Sequence, residues 1–307
     1  MQPVRRLLLL GILLAAFGPA LAAEPVPPIV VASKIDTEGA LLGQMVVILL
    51  QHHGYAVDNR VQLGTTKIVR EALLSGQIDL YPEYTGNGAF FFHREADPVW
   101  TDAAAGYETV RSLDRERNDL IWLAPAPVNN SWAIAVSKSI STAEGLRSLM
   151  DFARYADSGG RVKLAASAEF VDSPLGLPAF QKTYGFTLAQ QQLLVLAGGD
   201  TAATIRAAAE GISGVNAAMA YRTDGAIAVL DMVVLDDPKG AQIVYAPCLV
   251  VRGAVLRAHP DLAAILDPPF TALTIETLQR LSARITVGGE EAAAVALSYL
   301  EAAGFTQ

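Results

Sequence analysis

The sequence predicts an α/β fold made of two lobes with a ligand cleft between them. Short apolar segments alternate with amphipathic segments along most of the chain, which is the pattern of parallel strands and helices packed in layers. A chain of 307 residues also suits two lobes better than one core. The segment Ala124-Pro125-Ala126-Pro127 is semi-rigid, so it predicts a first crossing between the lobes near Ala126.

Five alternating elements open the chain and predict a βαβαβ half-domain. The helix is the clearest of them, because Leu42, Met45 and Leu49 recur at helical spacing and Gly54 follows as a stop signal. The five elements are strand 29–33, helix 38–53, strand 55–61, helix 66–75 and strand 78–81.

The remaining sequence predicts a second lobe and a return to the first. The further strands are predicted at 120–123, 132–136, 162–166, 217–221 and 232–235. The further helices are predicted at 101–118, 145–155, 178–184, 201–210, 260–266, 275–285 and 290–303. Segment 242–251 is expected to return the chain to the first lobe. We therefore expect a discontinuous first lobe of residues 24–128 and 245–307, and a second lobe of residues 129–244, with hinge closure around the ligand.

Residues 1–23 predict a signal peptide for export to a periplasm. Arg5 and Arg6 supply the positive start, and residues 7–17 form an apolar run too short to span a bilayer. Ala20-Leu21-Ala22 has the small-x-small form of a cleavage site. An uncleaved anchor is the alternative, whereas a lipid-anchored form is not expected because no cysteine lies at the predicted cut.

Composition argues against several classes of function. The formal net charge of −8 disfavours nucleic-acid binding, which needs clustered lysine and arginine. Cys248 is the single cysteine and lies in an apolar segment, which predicts a buried side chain and no internal disulfide. The four histidines show no ligand spacing with a cysteine or a further carboxylate, and no catalytic motif occurs. We therefore expect no metal site, no cofactor and no enzymatic activity.

Aromatic residues in polar settings predict the ligand site. In residues 78–87 an apolar strand is expected to break into a turn that carries Tyr84, a carboxylate and an amide. An α/β protein places its ligand at such a strand end. Trp132, Tyr221 and Tyr245 occur in similarly polar segments. Four such rings at one point would hold a cation that has no hydrogen-bond donors.

Polar residues after the first strand predict an anion-binding loop. Lys34 and Asp36 precede the 38–53 helix, whose first N–H groups and positive dipole end suit a carboxylate. A solvated surface lysine is the alternative for Lys34. Tyr81 directly ends its apolar run and is expected in the core. Gly198-Gly199-Asp200-Thr201 lacks the lysine and spacing of a phosphate loop and is interpreted as a helix cap.

Motifs spread over almost the whole predicted mature chain carry a family resemblance. They include Ala32-Ser33-Lys34, Thr37-Glu38, Leu63-Gly64-Thr65, residues 72–79, Tyr81-Pro82-Glu83-Tyr84-Thr85-Gly86, Ala168-Glu169-Phe170, residues 177–185, Thr223-Asp224-Gly225 and residues 233–237. In these motifs the chain resembles the ProX and OpuC type receptors of osmoprotectant ABC importers, which take glycine betaine, choline or carnitine. Residues 198–205 and 216–219 resemble in particular the enterobacterial YehZ (OsmF) sub-type.

The resemblance implies a type II periplasmic-binding-protein fold and a receptor role. Such a receptor would deliver a quaternary ammonium solute to a membrane ABC permease driven by a cytoplasmic ATPase, and it is expected to be a monomer. The resemblance puts Tyr84, Trp132, Tyr221 and Tyr245 in an aromatic box, with tryptophan where the family usually has tyrosine. It puts Lys34 in contact with the ligand carboxylate or beside it.

Three residues depart from the family pattern. Asn87, which is also expected to bind the ligand, stands where a threonine is frequent, and Ser173 and Leu175 stand where arginine and aspartate are frequent. Loss of a bidentate carboxylate partner is expected to weaken or alter betaine binding, so the ligand stays open. A receptor for another amine or an amino acid would need a cleft carboxylate, with Asp224 or Glu83 as the candidates. An enzyme on the same fold and a sensor that docks to a signalling protein are further alternatives.

Overall fold

The computed structural model describes residues 27–196 and 201–306, which fold around two five-stranded sheets. The predicted signal peptide and the first three residues of Gly198-Gly199-Asp200-Thr201 lie outside the described residues. Over the two described ranges, no helix has both the length and the apolar content that a bilayer crossing requires.

The strands and helices alternate as the sequence pattern indicates. The strands are β1 Ile29–Lys34, β2 Val57–Gly64, β3 Leu80–Tyr84, β4 Leu120–Trp122, β5 Trp132–Ser137, β6 Leu164–Ser167, β7 Leu193–Leu196, β8 Ala217–Tyr221, β9 Met232–Val234 and β10 Pro247–Arg252. The helices are α1 Thr37–His52, α2 Thr66–Leu74, α3 Gly88–Phe91, α4 Ala103–Asn118, α5 Lys138–Glu144, α6 Leu149–Asp157, α7 Ala168–Asp172, α8 Leu177–Tyr184, α9 Thr201–Ala209, α10 Gly225–Val229, α11 Gly253–Ala258, α12 Leu262–Thr271, α13 Ile275–Thr286 and α14 Ala292–Ala302.

Each sheet mixes parallel and antiparallel strands. The first sheet has the order β2-β1-β3-β10-β4, and the second has the order β7-β6-β8-β5-β9. β1 and β6 pair in parallel with both of their neighbours, but β10 and β5 run antiparallel to theirs. The expectation of parallel strands is therefore wrong at β5 and β10. Both strands follow a crossing between the lobes and begin at the cleft, so they run opposite to β8 and β3, which end there.

Two crossing segments, which run side by side, connect the two sheets. Residues 123–131 lead from β4 to β5, and residues 235–246 lead from β9 back to β10. The backbone N–H of Asn130 donates to the Tyr245 carbonyl at 2.9 Å, and the Tyr245 N–H donates to Asn129 Oδ1 at 2.9 Å. These bonds hold the crossings together beside the cleft, where a hinge motion of the lobes would be concentrated.

Helices from the C-terminal part of the chain cover the first sheet and reach the second lobe. α12, α13 and α14 pack on α1, whose Leu42, Met45 and Leu49 belong to one buried apolar cluster. α13 also packs against α10 of the second lobe. Gly225 makes this approach close, because a Cβ there would lie 2.1 Å from the Ala283 nitrogen. The two lobes are therefore in direct contact beside the cleft.

The end of β3 differs from the sequence-based expectation. The strand continues through Pro82 to Tyr84, and a short 3-10 turn begins only at Thr85. Pro82 is accommodated because β3 pairs with β1 only at Leu80 and pairs beyond that point with β10 alone. Tyr84 therefore lies on a rigid strand end rather than in a turn.

The second lobe contains four labelled elements that the sequence pattern did not indicate, namely α5, α7, β7 and α10. α5 precedes Gly145, whose φ of +67° ends that helix, and α6 begins only at Leu149. The predicted single helix 145–155 is therefore wrong at its start. β7 was not expected, and it extends the second sheet as an edge strand beside β6.

The start of α6 offers a stability test. The Ser148 hydroxyl accepts the Asp151 N–H at 3.2 Å, and an Asp151 carboxylate oxygen accepts the Ser148 N–H at 2.9 Å, which completes a capping box. We expect Ser148→Ala to lower the free energy of unfolding by about 1 kcal/mol in urea denaturation. Ser137→Ala is the matched control, because Ser137 is the N-cap of α5 without a cap hydrogen bond. An equal loss in both variants would contradict the prediction.

Candidate functional site

A cavity of about 540 Å³ lies between the two lobes, and its lining includes all six residues that the sequence singles out as ligand-binding. Elements of both sheets contribute to this lining, together with the starts of α1 and α10. The six residues are Lys34, Tyr84, Asn87, Trp132, Tyr221 and Tyr245.

Trp132 and Tyr221 form the aromatic side that belongs to the second lobe. They lie opposite each other on the neighbouring strands β5 and β8. Their ring centroids are 6.4 Å apart and the planes are inclined by 28°, which is a stacked arrangement. Phe170 also contacts Trp132 edge to face, with ring centroids 5.6 Å apart and planes at 90°. The tryptophan is thus fixed by packing before any ligand arrives.

Tyr84 and Tyr245 face the same cavity from the side of the first sheet. Tyr84 ends β3 and is 7% exposed, and Tyr245 comes shortly before β10. Burial raises the pKa of both phenols well above the ordinary value, and burial also raises the pKa of Tyr221 to about 12. All three rings therefore stay neutral at any physiological pH and can offer π-faces to a cation.

Lys34 lines the cavity, but its charge is already paired. Its ammonium is bonded to Glu83, a fully buried carboxylate, and lies 4.5 Å from the centroid of the Tyr84 ring. Glu83 also accepts from the Tyr84 N–H at 2.7 Å, from Asn87 Nδ2 at 2.6 Å and from the Tyr81 hydroxyl at 2.8 Å. Tyr81 is completely buried, in line with the expected core position. Four donors thus converge on Glu83, so it is not suited to hold a primary amine.

Glu38 is a cavity residue that sequence reasoning missed. It belongs to the first turn of α1 and is 7% exposed. Its Oε1 accepts from the Tyr84 hydroxyl at 2.7 Å and from Asn130 Nδ2 at 3.1 Å. Its Oε2 is buried and has no hydrogen-bond partner among the described residues. Thr223 lies close by, but its single hydroxyl hydrogen is donated to Asn130 Oδ1 at 2.6 Å.

Burial raises the pKa of Glu38 to about 7. The neighbouring carboxylates Asp36 and Asp224 contribute to this increase, while the nearby hydroxyls of Thr223 and Tyr84 oppose it. A carboxyl group with a pKa in this range exchanges its proton near neutral pH.

The sequence contained a sign that Glu38 belongs to the site, but the residue was assigned only a role at the beginning of α1. Thr37-Glu38 belongs to the motifs that carry the family resemblance, and Glu38 was interpreted only as the beginning of the helix. Asn130 lies two residues before Trp132 and gave no signal of its own. Asp36 caps α1 by accepting the Gly39 N–H at 2.7 Å, which aims the first turn of the helix at the cavity.

The lining is rich in carboxylates. The residues lining the cavity include Asp36, Glu38, Glu169 and Asp224, against Lys34 as a cation. Ser173 and Leu175, which replace the frequent arginine and aspartate of the family, also line the cavity. Among the described residues, no group of three or more histidine, cysteine, aspartate or glutamate side chains could hold a metal ion. Cys248 is buried in β10, and burial raises the pKa of its thiol well above the ordinary value.

Comparisons with known proteins agree on one family. Residues 27–302 match the family model described as the substrate-binding domain of an ABC-type glycine betaine transport system. The chain is 54% identical over 297 residues to the glycine betaine-binding protein YehZ of Escherichia coli strain K12, covering 97% of each protein. It is 30% identical to a glycine-betaine-binding protein of Pseudomonas aeruginosa strain PAO1, covering 88% of this chain and 86% of that protein.

Solved structures show the same architecture. An apo structure of YehZ from Escherichia coli matches with a TM-score of 0.82 and 55% identity, over 91% of this chain and 100% of that one. A crystal structure of a glycine betaine/carnitine/choline ABC transporter matches with a TM-score of 0.78 at 20% identity, over 91% of this chain and 100% of that one, which supports the fold alone. The resemblance drawn from the sequence motifs and the predicted two-lobed α/β fold are thereby confirmed.

Proposed function

The chain belongs to the family of substrate-binding domains of ABC-type glycine betaine transport systems, and from this premise we propose that it captures a small quaternary ammonium solute between its lobes. The family is a transport component and not an enzyme, which agrees with the sequence-based expectation. Its partners are a ligand and the membrane permease and ATPase of an ABC-type system. Glycine betaine is the first solute to consider, because the relatives from Escherichia coli and Pseudomonas aeruginosa are named for binding it.

The observation that carries the proposal is the convergence of four neutral rings from both lobes on one cavity. Tyr84, Trp132, Tyr221 and Tyr245 all line it. A quaternary ammonium group has no N–H to donate, so hydrogen bonds cannot hold it, whereas the negative faces of aromatic rings attract it. Each such contact contributes about 0.5–2 kcal/mol, and most where water is excluded.

The polar end of the ligand would lie near Lys34 and Asn87. Both side chains are shared with Glu83, so a ligand carboxylate receives only part of the lysine charge. Ser173 and Leu175 supply no cation to compensate. We infer that betaine affinity is lower here than at a site with a bidentate arginine.

The proposal also includes the lobe boundaries, the location and the oligomeric state of the protein. Residues 24–128 and 245–307 form the first lobe and residues 129–244 the second, as the strands of the two sheets suggest. Substrate-binding components of ABC importers work outside the cytoplasmic membrane, and we propose that residues 1–23 direct this chain to the periplasm and are then removed. The mature protein acts as a monomer.

A thermal-shift screen of the mature protein tests the proposed ligand class. We expect glycine betaine, choline and carnitine to raise the melting temperature in a concentration-dependent manner, because a ligand that binds only the folded form stabilises it. Glycine is the matched control, since it keeps the carboxylate but lacks the three methyl groups. A shift with glycine and other primary amines, without a shift for the methylated solutes, would favour a receptor for a different solute.

A further inference from the structure

One oxygen of Glu38 is the structural feature that the aromatic box leaves unexplained. The residue is 7% exposed and lines the cavity, and its Oε1 is occupied by the Tyr84 hydroxyl and the Asn130 amide. Oε2 is buried without a partner among the described residues. An unpaired oxygen of a buried carboxylate is costly, so such an atom indicates a proton, a water molecule or a ligand group in contact with it.

We propose that Glu38 binds the solute as a neutral carboxylic acid, donating the proton on Oε2 to the carboxylate of a zwitterionic ligand. The inference rests on the proposed function and adds the group that recognises the anionic end of the ligand. Glu38 would in this way replace part of the donor capacity that Ser173 and Leu175 lack.

Burial and the charged groups around Glu38 favour the acid over the anion, against the opposing effect of the Thr223 and Tyr84 hydroxyls. The titratable groups that face it are Asp36 at the start of its own helix, Asp224 at the start of α10 and the Tyr84 phenol on β3. Two of these groups are acidic, and the phenol is neutral. Lys34 on β1 is the nearby cation, but Glu83 already pairs with it. α13 contributes Ser282 and Thr286 to the cavity, and neither of them is charged.

Proton linkage follows from this placement. Burial holds the pKa of Glu38 at about 7 in the free protein. A ligand carboxylate against Oε2 disfavours the ionised form, so it raises this pKa further in the complex. Affinity is therefore fully present below the free-state pKa and is lost as the pH rises, by roughly tenfold per pH unit until the pKa of the complex is reached. Choline has no carboxylate, so the same increase in pH should not weaken it.

Calorimetric titration of the mature protein with glycine betaine at about pH 6 and about pH 8.5 tests the proposal. We expect affinity to fall by at least tenfold at the higher pH. In buffers of different ionisation enthalpy, binding should take up close to one proton per ligand at the higher pH and almost none at the lower pH. Glu38→Gln imitates the neutral acid, because its amide keeps an oxygen for Tyr84 and supplies an N–H in place of the O–H. This variant should bind glycine betaine with little dependence on pH.

Measurements with choline and with the unmodified protein distinguish failure of the Glu38 proposal from failure of the proposed function. Glycine betaine binding that is unchanged with pH, or that strengthens as the pH rises, would overturn the role of Glu38 and leave the proposed function intact. The unmodified protein gives this result even if Glu38→Gln fails to fold. Absence of binding by glycine betaine and choline at both pH values would overturn the proposed function itself, and the inference with it.

Discussion

Replacement of Trp132 by alanine is expected to weaken glycine betaine binding by roughly 30-fold, which corresponds to about 2 kcal/mol. Trp132 offers the largest ring of the box and is held in place by Tyr221 on one strand and Phe170 on a helix. Its removal deletes one π-face and also lets water reach the bound cation, which weakens the remaining contacts. Calorimetric titration of the mature variant with glycine betaine measures the change directly.

Two further variants separate recognition from stability. Trp132→Phe keeps an aromatic face and should lose less affinity than Trp132→Ala. Tyr155→Ala removes a half-buried ring of α6 in the same lobe, away from the cavity, and should leave affinity unchanged while lowering the melting temperature. An alanine variant at Trp132 that binds as tightly as the parent would contradict the aromatic box.

Local patterns in the sequence were sufficient for much of the fold. The apolar spacing of α1 and the strong stop at Gly54 depend on neighbours within a few residues, so the helix is predicted close to its observed limits. The directions of β5 and β10 depend instead on where the chain crosses between the lobes, which no local pattern encodes. β7 was missed because its residues are only half-buried at a sheet edge, where alternation is weak.

The aromatic part of the site was predictable for a related reason. Tyr84, Trp132, Tyr221 and Tyr245 stand out as rings in polar segments, and the family resemblance groups them. The state of Lys34 was not predictable in this way, because its partner Glu83 lies 49 residues further along the chain. Asn130 and Glu38 meet across 92 residues. Pairing and burial of this kind arise only in the folded chain.

Glu83 connects the core of the first sheet to the cavity. It lies on β3, where the Tyr81 hydroxyl reaches it, while Lys34 and Asn87 reach it as cavity residues. The rigid strand thus sets the positions of two side chains on the ligand side. A change at Glu83 should therefore affect folding and binding together.

Glu83→Gln is expected to lower the free energy of unfolding by about 3–5 kcal/mol. The carboxylate is fully buried and neutralises Lys34, which is 6% exposed. Glutamine keeps the size but removes the negative charge, so the lysine ammonium stays buried without a counter-charge. Urea unfolding followed by circular dichroism measures the loss as a lower midpoint at an unchanged slope.

A double variant tests whether the uncompensated charge of Lys34 causes this loss of stability. Lys34→Met combined with Glu83→Gln removes both charges together, while the glutamine oxygen can still accept hydrogen bonds from donors such as the Tyr84 N–H. This double variant should recover most of the stability lost in Glu83→Gln, because no ammonium is then left buried without a counter-charge. Asp231→Asn is the matched control for a surface pair, since Asp231 and its partner Lys138 are largely exposed, and it should change stability little. If the double variant were as unstable as Glu83→Gln, the loss would arise from the hydrogen bonds that Glu83 accepts rather than from an uncompensated lysine.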